Sequence, residues 1–411
     1  MTARIIADDG ESVFGQIVRG MIEADAPVTL LAVCPNSNAV VRAALRTAER
    51  LRAPAIFAAT LNQVDLDGGY TGWTPSTFAA FLEQEASRAG TSVPVLVGLD
   101  HGGPWTRDEH LRDGYSFVET MEAVRASLSA CIDAGYNLLH IDATVDPNAD
   151  GEVELEEVIE RTVGLIAFAE ANRRESGRLR IAFEVGTEEV HGEVGDLSRF
   201  RDLVRKLRVT LDSQGLAEAW PVFFVGRVGT DLHTSHFDAR AATELVRIIR
   251  PLGSAIKGHY TDYVDNPADY PRARVGGANV GPEFADVEVR ALEKLTAVER
   301  DMGMASGFMD VLEAAVVASG RWRKWLAADE RQSDFDALPT ERRGWLTRTG
   351  SRYVWTNPSV VEARRQLYEN VSERVDPDAF VLAGIEQRIE RYVRAFNLVG
   401  FAEKVLEMMN D

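Results

Sequence analysis

The sequence predicts an α/β chain: a (β/α)8 barrel followed by a C-terminal helical extension. Three observations carry that reading. Short runs rich in Val, Ile, Leu and Phe alternate with longer amphipathic stretches, the pattern of parallel strands covered on both faces by crossover helices. The unit recurs eight times, which favours a closed barrel over an open doubly wound sheet. The chain has 411 residues, 45% of them hydrophobic, which leaves room for a barrel of ~250 residues and a sizeable addition.

Strands are expected at 28–35, 55–60, 93–100, 137–142, 180–185, 221–225, 255–258 and 274–280. Amphipathic helices are expected between them at 38–51, 77–89, 117–134, 155–174, 197–214 and 239–249. Thr74 and Pro75 suit the cap and first turn of the second of these helices. The seventh crossover, near 266–272, carries Pro267 and Pro271, so its helix should be reduced. A helix at 11–23 would close the bottom of the barrel. Residues 1–300 therefore read as the barrel with its N-terminal helix. Residues 301–411 read as a helical extension, with the mainly helical texture setting in near Phe284 and segments at 287–300, 308–318, 358–370 and 381–396. The extension is either a cap packed on the barrel or an oligomerisation element, and no residue in it stands out as a candidate for chemistry.

Composition narrows the function. Forty-five Lys and Arg against 64 Asp and Glu give a net charge of −19, which repels nucleic acid and anionic membranes. An anionic substrate would need local basic groups. The two cysteines, Cys34 and Cys131, lie in apolar settings and are expected to be buried free thiols. The N-terminus has no basic stretch followed by an apolar run, and no apolar segment approaches the ~20 residues that span a bilayer. A cytoplasmic location is expected. No G-x-G-x-x-G follows the first strand and no G-x-x-x-x-G-K-[ST] occurs, so nucleotide phosphate cradles are missing.

Strand ends and the loops after them form the active face of such a barrel. Strand 3 ends in Asp100-His101-Gly102-Gly103, strand 4 contains His140 and ends in Asp142, and strand 5 ends in Glu184, with Glu188, Glu189 and His191 beyond. Strand 6 leads to Asp231, His233 and His236, and strand 7 to His259, Thr261, Asp262 and Tyr263. Of the seven histidines only His110 falls outside this pattern. Imidazoles and carboxylates converging at strand ends can hold Zn2+ or a similar divalent metal with one position open. Such an ion polarises a ketose carbonyl, and a neighbouring carboxylate moves the proton.

The Gly-rich loop after strand 2, residues 62–75, offers Asn62, Gln63, Gly69 and Tyr70 to sugar hydroxyls or a phosphate. Asp142 and Asn279, the latter in the Gly-rich strand 8, join the substrate-binding candidates. Lys257 and Arg227 would either offset a phosphate or sit in buried ion pairs.

These residues carry a resemblance. The runs at 31–37, 59–64 and 68–75, with Asp100-His101-Gly102-Gly103-Pro104, His140-Ile141-Asp142, Gly258-His259-Tyr260-Thr261-Asp262-Tyr263 and Val280-Gly281-Pro282, resemble the non-catalytic subunit family of class II tagatose-bisphosphate aldolase. The resemblance runs in order from about residue 28 to 300, and the loop after strand 2 is its most specific part. Some members bear the name tagatose-6-phosphate kinase, which the missing P-loop does not support here. Others are ketohexose-6-phosphate 4-epimerases, which interconvert tagatose 6-phosphate and fructose 6-phosphate.

The related catalytic class II aldolases are zinc-dependent barrels. By that resemblance Asp100 is the proton-transfer carboxylate and His101, His233 and His259 bind the metal. Glu184 is an auxiliary ligand or a second acid–base group. Two departures stand out. The acidic segment 184–192 replaces a Pro- and Gly-rich one, and the shifted spacing after strand 6 leaves His233 and His236 as alternatives. The resemblance implies a metal-dependent enzyme on a ketose or ketose phosphate, either a homo-oligomer or a partner of an aldolase catalytic chain. The alternative is a stabilising subunit without chemistry of its own. Retention of Asp100, His101, Glu184, His233 and His259 together favours the enzyme.

Overall fold

In the computed structural model, residues 11–186, 197–230 and 235–409 are described. Eight parallel strands form a closed barrel in chain order: β1 (Leu30–Val33), β2 (Ala55–Thr60), β3 (Val95–Asp100), β4 (Leu138–Ile141), β5 (Ala182–Gly186), β6 (Phe223–Val225), β7 (Ala255–Gly258) and β8 (Gly277–Val280). Closure is made by β8 on β1, with Leu30 opposite Gly277 and Val33 opposite Val280. Each strand predicted from the apolar runs is present: β2 and β7 keep the predicted bounds, β5 runs one residue further, to Gly186, and the others are shorter by a few residues.

The covering helices are α1 (Val13–Glu23), α2 (Asn38–Leu51), α3 (Pro75–Ala89), α4 (Asp108–Arg112), α5 (Phe117–Asp133), α6 (Leu155–Glu175), α7 (Leu197–Ser213), α8 (Ala239–Ile249), α9 (Asp269–Arg272) and α10 (Pro282–Asp301). Local sequence sets their starts. Ser37 caps α2, Thr74 forms a capping box with Thr77 ahead of Pro75 in α3, and Ser116 does so with Glu119 in α5. The proline-rich seventh crossover is a single turn, α9. The N-terminal helix closes the barrel bottom as expected: Phe14 meets Phe223 of β6 edge-on, with ring centroids 6.0 Å apart.

Beyond α10 the chain forms α11 (Phe308–Ser319), α12 (Thr340–Gly350), α13 (Pro358–Val371), α14 (Pro377–Ala395) and α15 (Phe401–Met408). The extension packs on the barrel and shares its apolar core, through Leu312, Leu346, Leu367, Ile385 and Val405. Helix α14 lies along α2 and α10, while α15 returns beneath the barrel to α1. There the Thr29 amide donates to the Phe396 carbonyl and the Gly400 amide to that of Leu51. Two short 3-10 turns, Arg321–Trp325 and Ser351–Tyr353, run to the opposite face, at the carboxyl ends of the strands. No helix among the described residues is long and apolar enough to cross a membrane.

Candidate active site

A cavity of about 490 Å³ opens at the carboxyl ends of the strands, with Asp100, His101, His259 and Asn279 in its wall. Strand alternation explains the convergence. Side chains two residues apart share a face, so Asp142, like His140 in β4, turns into the barrel. His140 stands opposite Glu184 in the register.

The loop after β3 brings the parts together. His101 adopts a left-handed backbone, φ +52°, a conformation that costs a side-chain-bearing residue energy and tends to occur at functional sites. The two glycines after it allow a close approach to β4. A Cβ on Gly102 would lie 2.9 Å from the His140 carbonyl oxygen, and one on Gly103 only 1.4 Å from that of Asp142. Pressed together in this way, Asp142 Oδ2 lies 2.8 Å from His101 Nδ1. A carboxylate on one imidazole nitrogen fixes the ring and leaves the other nitrogen for a ligand.

Asp100, His101, His140 and His259 each offer one ligand atom, and these atoms all lie within 4.8 Å of one another. His140 Nδ1 lies 3.1 Å from both Asp100 Oδ1 and the His101 amide. Its Nε2 is buried with no hydrogen-bond partner, as is Asn279 Oδ1. Buried polar atoms without partners are costly, so these two, Asn279 Oδ1 in the cavity wall and His140 Nε2 in the cluster just behind it, mark a place for a ligand. The donor set, three imidazoles and a carboxylate, suits a divalent ion.

Charges are arranged around Asp100. Burial favours the neutral acid, but His101 and His259, a hydrogen bond from His140 and the Lys257 ammonium together hold the carboxyl well below its ordinary range. Asn279 Nδ2 donates to Asp100 Oδ2 at 3.0 Å. Glu184 is fully buried. Its Oε1 lies 2.9 Å from His259 Nε2 and its Oε2 accepts from Lys257 Nζ at 2.5 Å. Burial opposes ionisation there too, and Lys257 with the histidines overcomes it, so this carboxyl also lies well below its usual value.

A model of the family described as D-tagatose-1,6-bisphosphate aldolase subunit GatZ/KbaZ-like matches residues 17–399. The chain belongs to this family. It is 26% identical over 387 residues, 87% of each chain, to the D-tagatose 6-phosphate 4-epimerase of Agrobacterium fabrum. Among solved structures it is similar to a probable tagatose 6 phosphate kinase from Sinorhizobium meliloti, with a TM-score of 0.68, 23% identity, and 93% and 99% of the two chains covered. It also shares its fold with the fructose-bisphosphate aldolase of Campylobacter jejuni, with a TM-score of 0.56, 11% identity, and 95% and 96% covered.

Not every residue singled out in the sequence faces the cavity of this GatZ/KbaZ-like chain. Asp100, His101, His259, Asn62, Gln63, Tyr70, Asp142 and Asn279 line it. Lys257 does not; its ammonium is spent on Glu184 beneath the floor, so of the two roles open to it the ion pair is the one it fills. Among the described residues, Glu184 reaches the site through its contact with His259. Gly69 serves the loop backbone: a Cβ there would lie 2.5 Å from the Gln63 carbonyl oxygen. Asn62 ties the strand-2 loop to the strand-3 loop, donating to the Thr106 carbonyl and accepting from the Asp108 amide, each at 3.0 Å. Gln63 Nε2 donates to Asn36 Oδ1 at 3.1 Å.

Asp142 supports His101 as well as lining the wall. His233 and the acidic segment's Glu188, Glu189 and His191 lie outside the described residues. His236, the alternative to His233, is exposed and 3.1 Å from Asp265. Cys131 is buried, whereas Cys34 is only half-buried and lies in the cavity wall.

Three features were given no role from the sequence, although two of them, His140 and Asp262, were named at strand ends. His140 belongs to the cluster, and its parity with Asp142 was the available signal. Asp262 lies in the cavity wall with Oδ1 accepting the Gly281 and Glu283 amides at 3.0 and 2.7 Å. Burial, then the Glu283 charge, pushes its carboxyl from 3.8 up to about 7. Between those values the folded chain keeps a proton that the unfolded chain releases, so stability falls as pH rises and the loss is complete above about 7. Wild type is therefore expected to lose stability relative to Asp262→Asn between pH 5 and 8, on the order of a few kcal/mol, as one unit is ~1.4 kcal/mol. Urea titrations of both proteins at the two pH values would show it; parallel pH responses would refute it. The third feature is the extension, in which the sequence offered no chemistry: Lys324, Trp325, Arg352 and Tyr353 line the same cavity.

Proposed function

We propose that this chain is a metal-dependent ketose-6-phosphate 4-epimerase that interconverts tagatose 6-phosphate and fructose 6-phosphate. The observation that carries the reading is Asp100, an ionised carboxylate among His101, His140 and His259 on the floor of a barrel cavity. The name of the Agrobacterium relative supports the substrate pair.

His101, His140 and His259 would hold the ion, Zn2+ by the resemblance to class II aldolases, with His233 a further candidate. Bound there, it would polarise the ketose carbonyl and lower the cost of breaking the adjacent C3–C4 bond. Asp100 accepts the proton of the C4 hydroxyl as that bond opens. It returns the proton after the aldehyde has presented its other face and the bond has reformed, which inverts C4. Asn279 keeps the carboxylate aimed, Asp142 fixes His101, and the Glu184–Lys257 pair orients His259 from below. Asn62, Gln63 and Tyr70 are the proposed contacts to the sugar.

The test is a metal assay of the purified chain, then incubation with each sugar phosphate followed by NMR. We expect bound divalent metal and interconversion that stops on chelation and returns with Zn2+. His140→Ala should weaken metal binding at least ~tenfold, by analogy with losses at metal sites. A chain that takes up no metal and interconverts neither sugar would overturn the proposal. The family description names an aldolase subunit, so the second reading is a partner that stabilises a catalytic aldolase chain. Co-purification with such a chain, without turnover alone, would select it. In the first reading a cytoplasmic homo-oligomer is proposed.

A further inference from the structure

The cavity has a floor of imidazoles and carboxylates, but its roof comes from the extension and is basic and aromatic. Three cations gather there, in different states. Lys324 makes an ion pair with Asp108. Arg321 lies 3.8 Å from the same carboxylate, its guanidinium 5.5 and 5.2 Å from the Tyr70 and Tyr353 ring centres. Arg352 differs from both. It is only 4% exposed, yet among the described residues no carboxylate lies within ion-pairing distance of it. Its hydrogen bonds go to neutral acceptors, the Thr349 carbonyl and, at 2.7 Å, the Tyr353 hydroxyl.

A buried charge without a counter-ion is unfavourable, and among the described residues the fold maintains one. The Trp325 and Tyr353 rings lie 4.4 and 4.3 Å from the guanidinium carbon and fix the plane of the fork. Both rings and Arg352 face the cavity. The charge acts on groups around that cavity, Cys34, Tyr70 and Asp262. Asp262 answers it weakly, because burial and Glu283 push that carboxyl up to about 7.

We infer that Arg352 is the anchor for an oxyanion on the substrate, a phosphate ester or a carboxylate, and that the extension therefore sets which ketoses the barrel accepts. A guanidinium presents a planar fork of donors matched to two oxygens, and the ligand supplies the missing negative charge. The inference deepens the epimerase reading by naming the residue that takes the substrate's charged end, but the cavity's need for an anion stands even if the reaction differs.

The test is calorimetric titration of the full chain, with Zn2+ present, using fructose 6-phosphate, fructose, gluconate and inorganic phosphate. We expect fructose 6-phosphate to bind far more tightly than fructose, and Arg352→Gln to weaken it ~10- to 100-fold, the scale of a charge-assisted bidentate contact, with fructose unaffected. Arg352→Lys, which keeps the charge but not the fork, should fall between the two and guards against a misfolded Gln variant. Arg352-dependent binding of gluconate in place of the phosphates would assign the anchor to a sugar acid. Arg352-dependent phosphate binding without epimerisation would keep the anchor and remove the epimerase. Equal affinities of wild type and both variants for every anion would overturn the inference.

Discussion

Replacing Asp100 by Asn is expected to lower turnover of tagatose 6-phosphate ~10²- to 10⁴-fold, the range for loss of a positioned general acid–base group, with little change in KM. The substitution preserves shape. An Asn oxygen can still accept from Asn279 Nδ2, which lies 3.0 Å from Asp100 Oδ2. What disappears is the negative charge that His101 and His259 stabilise, and with it the acceptor for the substrate proton. Thermal unfolding of the variant should stay within a few degrees of wild type, so that lost activity is separable from lost structure. Turnover near the wild-type level would remove Asp100 from the chemistry. It would direct attention to Asp262, a carboxyl in the same cavity wall that is pushed up to about 7.

The second large effect is expected far from any proton transfer. Gly103→Ala places a methyl group 1.4 Å from the Asp142 carbonyl oxygen, a distance no rotamer change relieves, because the backbone fixes the Cβ position and the atom it meets is backbone. The strand-3 loop must move off β4, at a cost of about 3 kcal/mol or more. The same movement pulls His101 from Asp142, now 2.8 Å away. The variant should therefore unfold at clearly lower denaturant and also bind metal weakly under conditions where it is still folded. Normal stability would show that the loop has slack and that the contact is not what seats His101.

Most of the barrel was legible in the sequence because buried parallel strands must be apolar on both faces, and eight such runs stand out between amphipathic helices. The shortened α9 was legible from Pro267 and Pro271 for an equally local reason. The floor of the site was partly legible. Strand ends are where a barrel puts its chemistry, so position placed Asp100, His101 and His259 among a larger set of candidates, and the family resemblance chose them, together with His233, from it. His140 was harder, since a histidine inside a strand reads as core until its partners are known. Lys257 shows the converse: a basic residue near a strand end looks like a phosphate ligand, and only the ion pair it makes inside the barrel with Glu184, two strands away, shows the charge to be answered. Arg352 was not legible. It sits 252 positions after Asp100 in the numbering, and only the packing of α10 to α13 on the barrel brings it over the cavity.

The extension has one further consequence. Its 3-10 turns form the roof of the cavity, whereas Asp100, His101, His140 and His259, the groups proposed for acid–base chemistry and metal binding, stand on the strands and the turns that follow them. On the proposed roles, the anchor for the substrate's charged end and the reacting groups thus occupy separate stretches of sequence. Under that proposal, substitutions in residues 321–353 would change which ketoses the site takes and leave the floor intact, so the roof could be exchanged without rebuilding the reaction.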